Sequence, residues 1–223
     1  MVTNREDAAP LAGLGFRAHQ GGAVVVGLAV GEGEPRVVLS TLLETCTDGD
    51  RLSFEPYRVA AEIARRDPQS GASTEAAAAV AEGRKRQDRL AAQALQNIIR
   101  QLGKTNHTPV VAALLVNRAG WVTDLLAYSL AWPEHVPVAE ALAVRDALRF
   151  AFRQCNVEVA ELDEKSLPDL AAETLGISAA EIDARLKALG AAVGRPWRKE
   201  QKLACLAAWV AMAGRRLTIA RLK

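Results

Sequence analysis

Residues 109–116 read PVVAALLV, and the fold turns on them. Seven apolar positions in an unbroken run, bounded by Pro109 and Asn117, make a short continuous segment. They suit a strand covered on both faces, at the centre of the sheet. Upstream lie three extended runs, Leu11 to Ala18, Ala23 to Val30 and Arg36 to Cys46. The middle one, AVVVGLAV, is rich in β-branched residues, and Gly31 to Pro35 reads as the turn to an antiparallel neighbour. The simplest arrangement is a three-stranded meander. Between meander and buried strand, Pro56 opens a short helix, YRVAAEIARR, and Asp67 to Thr74 is a polar loop. A long Ala-rich helix then runs from Glu75 to Leu102, with Gly103 placed to end it.

Downstream, Val138 to Gln154 is helical, with Val138, Leu142, Leu148 and Phe152 near one face. Asn156 to Leu162 reads as a further short strand. Ser166 to Asp169 reads as the capped start of a helix that stops at Gly176. Ser178-Ala-Ala-Glu181 is a capping box, with Ile177 and Ile182 as its hydrophobic staple, and it predicts a helix over 179–189. The linker Gly194 to Trp197 leads into a last helix, Arg198 to Ala213, whose Leu203, Leu206, Ala207 and Val210 form an apolar face.

The 223 residues are half hydrophobic, which suits one α/β domain over 11–223 behind a frayed stretch at 1–10. A formal charge of +2 creates no overall field, so any polyanion site must be a local patch. Cys46, Cys155 and Cys205 are odd in number and far apart, as expected of reduced thiols. The start, MVTNREDAAP, has neither the apolar run of a secretory signal nor the character of a transit peptide, and no segment has the ~18 apolar residues of a membrane span. A cytoplasmic protein without a membrane partner is expected.

Three strands, a helical segment, a strand, a helix and a short strand followed by helices match the ribonuclease H-like order, a mixed sheet of about five strands flanked by helices. The C-terminal half, VVAALLV, VAEALAVRDALRFAF, VEVAEL, ISAAEIDARLKALG and EQKLACLAA in turn, resembles the bacterial Holliday-junction resolvase branch of that superfamily. The start, GLGFRAHQGGAVVV, is similar to the first strand of such proteins. Arg17, Pro56-Tyr57 and Ala139-Glu140 also resemble positions in uncharacterised bacterial proteins of the fold. The resemblance implies two divalent ions held by carboxylates from the first strand, the central strand and the last helix. Here Gly15 and Phe16 stand where the first aspartate is due, Ala112 to Val116 contains no acid, and Leu203 occupies the second helix position while Glu200 matches the first. The expectation is a domain without the standard metal site or any cofactor, binding nucleic acid or a protein.

Candidate residues follow from charge and placement. Glu140 and Glu200 are the carboxylates nearest to catalytic positions, and the steps from Glu200 to Leu203 and Ala207 put it on the core-facing side of the last helix's first turn. Arg17 and His19 share one face of the first strand, where an anion could replace a metal. Arg145 borders the same helical stripe as Glu140, about 140° away at ~3.6 residues per turn. Trp197, Arg198, Lys199 and Lys202 form a basic cluster beside an aromatic, the better nucleic-acid candidate. Arg84-Lys85-Arg86, with Arg89, reads as a solvated helical face. His107 and His135 read as surface residues without metal-ligand spacing. The alternative is a divergent magnesium-dependent nuclease using Glu140, Asp146, Glu200 or Asp163-Glu164. An actin-like phosphate binder lacks its Gly-rich loop here.

Overall fold

A computed structural model describes residues 10–30, 34–66, 74–117 and 121–221, the side chains of 216–221 excepted. The expected frayed start, most of the Gly31 to Pro35 turn and nearly all of the 67–74 loop lie outside the described residues. In chain order the elements are β1 (Leu11–His19), β2 (Gly22–Ala29), β3 (Arg36–Glu44), α1 (Arg51–Phe54), α2 (Pro56–Arg66), α3 (Thr74–Lys104) and β4 (Thr108–Val116). There follow α4 (Leu125–Ala131), a 3-10 turn at Pro133–His135, α5 (Val136–Gln154), β5 (Val159–Asp163), α6 (Leu167–Leu175), α7 (Ala179–Val193) and α8 (Lys199–Arg221).

The five strands form one sheet in the order β3-β2-β1-β4-β5. β1 runs antiparallel to β2 and β2 to β3, while β4 lies parallel to β1 and β5 parallel to β4. This is the meander extended by two parallel strands that the sequence predicts. PVVAALLV is interior, between β1 and β5, but the middle place belongs to β1. Strand alternation divides the core. Val111, Ala113 and Leu115 of β4 face a cluster with α6, α7 and α8. Ala112 and Leu114 face the opposite cluster, with α3 and α5, where Phe16 meets Phe152 edge-on at a ring separation of 4.9 Å.

The packing of α8 is set by two positions of β1. A Cβ on Gly15 would stand 1.8 Å from the carbonyl oxygen of Ala204, and one on Gly13 would stand 2.5 Å from Met212 Cγ. The helix backbone thus rests directly on the strand, and Ala204 to Met212 are buried without interruption. The apolar face expected of this helix is accordingly too narrow.

Several local expectations need correction. α3 continues through Gly103, and the left-handed residue that turns the chain into β4 is Asn106, at φ 56°. α5 begins at Val136, and Val138 is exposed. Its buried stripe runs instead through Ala139, Glu140, Ala143, Val144, Ala147 and Leu148. Asn156, also left-handed, delays β5 to Val159. Ser166 precedes α6 in a helical conformation and caps nothing, whereas Gly176 closes that helix at φ 65°. Ser178 does cap α7: its Oγ accepts from Glu181 N at 3.2 Å. The Glu181 carboxylate turns to Arg185 instead of back to the cap, so half the box forms.

Two substitutions check this packing. Gly15→Ala should lower stability by at least the ~1 to 3 kcal/mol typical of overpacking, because backbone rather than a flexible side chain must give way. Ser178→Ala should cost ~0.5 to 2 kcal/mol through the lost cap. Both are read from urea midpoints, and a Gly15→Ala midpoint equal to wild type would mean that α8 does not lie on β1 as described.

Candidate functional site

The carboxyl ends of β1, β4 and β5 open onto a polar region on both faces of the sheet. Arg17, the last inward residue of β1, is in register with Leu115 and faces α8. Its Nε and Nη2 donate to the two carboxylate oxygens of Glu164 at 3.1 and 3.0 Å, and its Nη1 lies 3.9 Å from Glu200 Oε1. Two acids just beyond β5 and in the first turn of α8 are thereby tied to one guanidinium. Glu200 is half-exposed and does not point into the core, contrary to its expected placement on the core-facing side. His19 shares Arg17's face but is exposed and bonds the adjacent Gln20 carbonyl.

Glu140 does not reach this region. It is buried, and its Oε1 accepts from Tyr57 N at 2.9 Å and Arg58 N at 3.0 Å. These amides belong to the open first turn of α2, which has no partner within its own helix. A carboxylate on α5 therefore caps α2, and the Pro56-Tyr57 step and the Ala139-Glu140 pair form one structural unit. The other oxygen, Oε2, is buried without a hydrogen bond. Burial outweighs the two amide donors and pushes the carboxyl pKa up to about 7.

On the other face of the sheet a cavity of about 1000 Å³ opens among β4, β5, α3, α5 and the segment leading into α4. Glu161 pairs with Leu114 in the β4–β5 register and so faces α5, as does Asp163 opposite Val116. Along the wall the charges alternate. Arg84 Nη2 donates to Asp146 Oδ2 at 2.7 Å, Arg149 Nη1 donates to Asp146 Oδ1 at 2.8 Å, and Arg149 Nε donates to Glu161 Oε1 at 2.6 Å. Arg84 also bonds the Tyr57 hydroxyl, whose pKa burial pushes up to about 12. Arg84 and Arg86, expected on a solvated face, are thus held in ion pairs, Arg86 with Asp50 and Glu82.

Arg145 lies deepest in this wall, 8% exposed. Its Nη1 donates to Asn117 Oδ1, a neutral group, and its Nε has no acceptor. Among the described residues no carboxylate pairs with it. Burial, and next the neighbouring Arg149, lower its pKa.

The basic cluster at the start of α8 divides. Trp197 is packed: its indole N–H donates to the Leu186 carbonyl at 2.9 Å, and its ring occupies the place where a side chain on Gly190 would be, 2.0 Å from a Cβ there. Lys202 leans toward Asp183 at 3.8 Å. Arg198 and Lys199 are exposed.

The side-chain arrangement fits a metal pair poorly. Glu164 and Glu200 share Arg17, Asp146 and Glu161 share Arg149, and Glu140 caps a helix on the far side. Among the described residues no group of three histidine, cysteine or acidic side chains stands close enough to hold an ion. Gly15 faces the α8 backbone and Phe16 is buried in the opposite core. The sequence pattern singled out Arg145 and Asp146 but missed Asn117, Arg149 and Glu161. The three- and four-residue steps from Asp146 and Arg145 to Arg149, along one helix edge, were the available signal.

Strand order and helix placement define a ribonuclease H-like sheet. Among solved structures the chain is similar to the Thermus thermophilus RuvC structure, at 11% identity over 93% of this chain and 96% of that one, with a TM-score of 0.47. The figures are the same for T. thermophilus RuvC in complex with Holliday junction substrate. No family model and no curated protein matches the chain. What the polar region can do follows from this chain's own side chains.

Glu140 gives the site a titration test. Its folded pKa of about 7 exceeds the ordinary 4.5, so the folded protein holds that proton more tightly than the unfolded chain. The resulting stability is fully present below about pH 4.5 and is lost as pH rises through 7, on the order of 3 kcal/mol in all. Glu140→Gln should flatten the stability profile between pH 5 and 7.5. An unchanged slope in that variant would assign the dependence to other groups.

Proposed function

We propose that this chain is a ribonuclease H-like binding module without a two-ion nuclease site, acting in the cytoplasm on nucleic acid or a protein partner. The observation that carries the reading is the pairing of four polar-region carboxylates with arginines: Glu164 and Glu200 with Arg17, Asp146 and Glu161 with Arg149. Two ions ~4 Å apart need shared, unoccupied carboxylates, and withdrawing these acids would leave Arg17 and Arg149 as uncompensated cations beside the metals. No oxygen ligand from β1 or β4 is available to take their place.

Arg198 and Lys199, at the start of α8, are exposed cations placed to meet a phosphate backbone. Trp197 supports that corner by packing. Cys46, Cys155 and Cys205 are all thiols, and burial pushes Cys205 up to about 12, which suits a reducing compartment and an inert core cysteine. Among the described residues no helix is long and apolar enough to cross a membrane.

The test is calorimetric titration with magnesium and manganese, with and without branched DNA, beside a cleavage assay on the same substrates. The expected result is no saturable divalent binding and no cleavage above buffer. Any DNA association should weaken with salt and weaken further in Arg198→Ala/Lys199→Ala. Cleavage abolished by Glu164→Gln, Glu200→Gln or Asp146→Asn would overturn the reading in favour of a divergent nuclease.

A further inference from the structure

The cavity between β4, β5 and α5 contains a cation, Arg145, that no carboxylate among the described residues contacts as an ion pair, Glu161 and Glu164 acting on it only from a distance. Arg84, Asp146, Arg149 and Glu161 form a linear chain of ion pairs, two cations against two anions. At the rim, Asp124 spends Oδ1 on the Ala127 amide at the start of α4, and Asp163 spends Oδ1 on the Lys165 amide. Arg145 is the exception. An arginine more than nine-tenths buried as a residue, with a neutral amide as its hydrogen-bond acceptor and Arg149 close by, is costly to keep folded unless an anion completes it.

The rest of the cavity describes what that anion should carry. The lining also includes Val122, Leu125 and Leu126, in and just before the first turn of α4, and, one turn before Arg145 on α5, Leu142, which add an apolar surface. At the mouth stands Trp121, in a T-shaped contact with Tyr128 at 5.6 Å and still 71% exposed, so that much of its indole is open to a planar ring. The volume, about 1000 Å³, is at the upper end of the range for small-molecule sites and exceeds what a simple inorganic ion requires.

We propose that this cavity binds an organic phosphate bearing a planar ring, of mononucleotide size, with its phosphate on Arg145 and its ring against Trp121. Arginine's planar fork suits phosphate oxygens, and a ring on indole adds stacking that tolerates different bases. This assignment deepens the binding-module reading and rests on it. The phosphate could belong to a free nucleotide or to the end of a nucleic-acid strand, and the two sources present the same chemistry to Arg145.

The experiment is calorimetry and thermal denaturation of the full chain in EDTA with adenosine 5′-monophosphate, adenosine, indole-3-acetate and a 5′-phosphorylated single-stranded oligonucleotide. The monophosphate should bind and raise the midpoint, and adenosine should bind at least ~10-fold more weakly. Arg145→Met should cost at least ~10-fold in affinity while its unliganded midpoint equals or exceeds wild type, a gain that a purely structural arginine would not produce. Trp121→Ala, at an exposed position, should weaken binding with the fold intact. Binding of the oligonucleotide but not the monophosphate would sustain the site and name a strand end as its source. Failure of both to bind, binding indifferent to Arg145→Met, equal binding of adenosine, or binding of indole-3-acetate alone would overturn the proposal. Because no divalent ion is present, these outcomes are separate from the cleavage test of the binding-module reading.

Discussion

The close approach of α8 to β1 at Gly15 is the constraint on which the rest of the molecule depends. With the Ala204 carbonyl where a side chain would begin, the strand has no room for any residue that carries one. The sheet is sealed on that face, and Ala204, Cys205, Ala207 and Ala208 are small enough to complete the seal. On the opposite face Phe16 packs into the core with Phe152, so neither neighbouring position of β1 can present an oxygen to solvent. Gly15 and Phe16 are both committed to packing, one on each face of β1.

That commitment changes the chemistry at the carboxyl ends of the strands. Acids there remain numerous, but arginines have been placed among them, and each guanidinium holds its carboxylates in fixed, partly buried ion pairs. Such pairs contribute modestly to stability when exposed to solvent. Their larger effect is on what else can bind, since a paired carboxylate is a poor ligand for a cation and an unpaired arginine invites an anion. Arg145 is the point where the pairing is incomplete. Glu140 is the mirror case, a buried acid whose cost is offset by two amides of α2 rather than by a cation.

Much of the architecture was readable from the chain because the signals were local. AVVVGLAV and PVVAALLV have strand composition whatever surrounds them, and the Ser178 cap acts within one turn. The failures are of two kinds. Boundaries differ where an asparagine takes the left-handed conformation: α3 runs past Gly103 to the turn at Asn106, and β5 starts three residues after Asn156, although α5 ends at Gln154 as its pattern predicts. The site was harder to see, because its meaning lies in contacts between distant residues. Glu140 is 83 residues from Tyr57, and Arg17 is 147 from Glu164. Periodicity places a side chain on a face but does not say what stands opposite, so Glu200 was expected against the core and Trp197 at a substrate surface. The absence of strand acids, by contrast, was visible directly, and the packing of Gly15 supplies its physical reason.

The most direct test of the central claim is anomalous diffraction from crystals of the protein grown with manganese. The account predicts no ordered ion at the carboxyl ends of β1, β4 and β5, with Arg17 still bridging Glu164 and Glu200. A manganese peak ligated by Glu164 and Glu200, with the Arg17 guanidinium displaced, would contradict it.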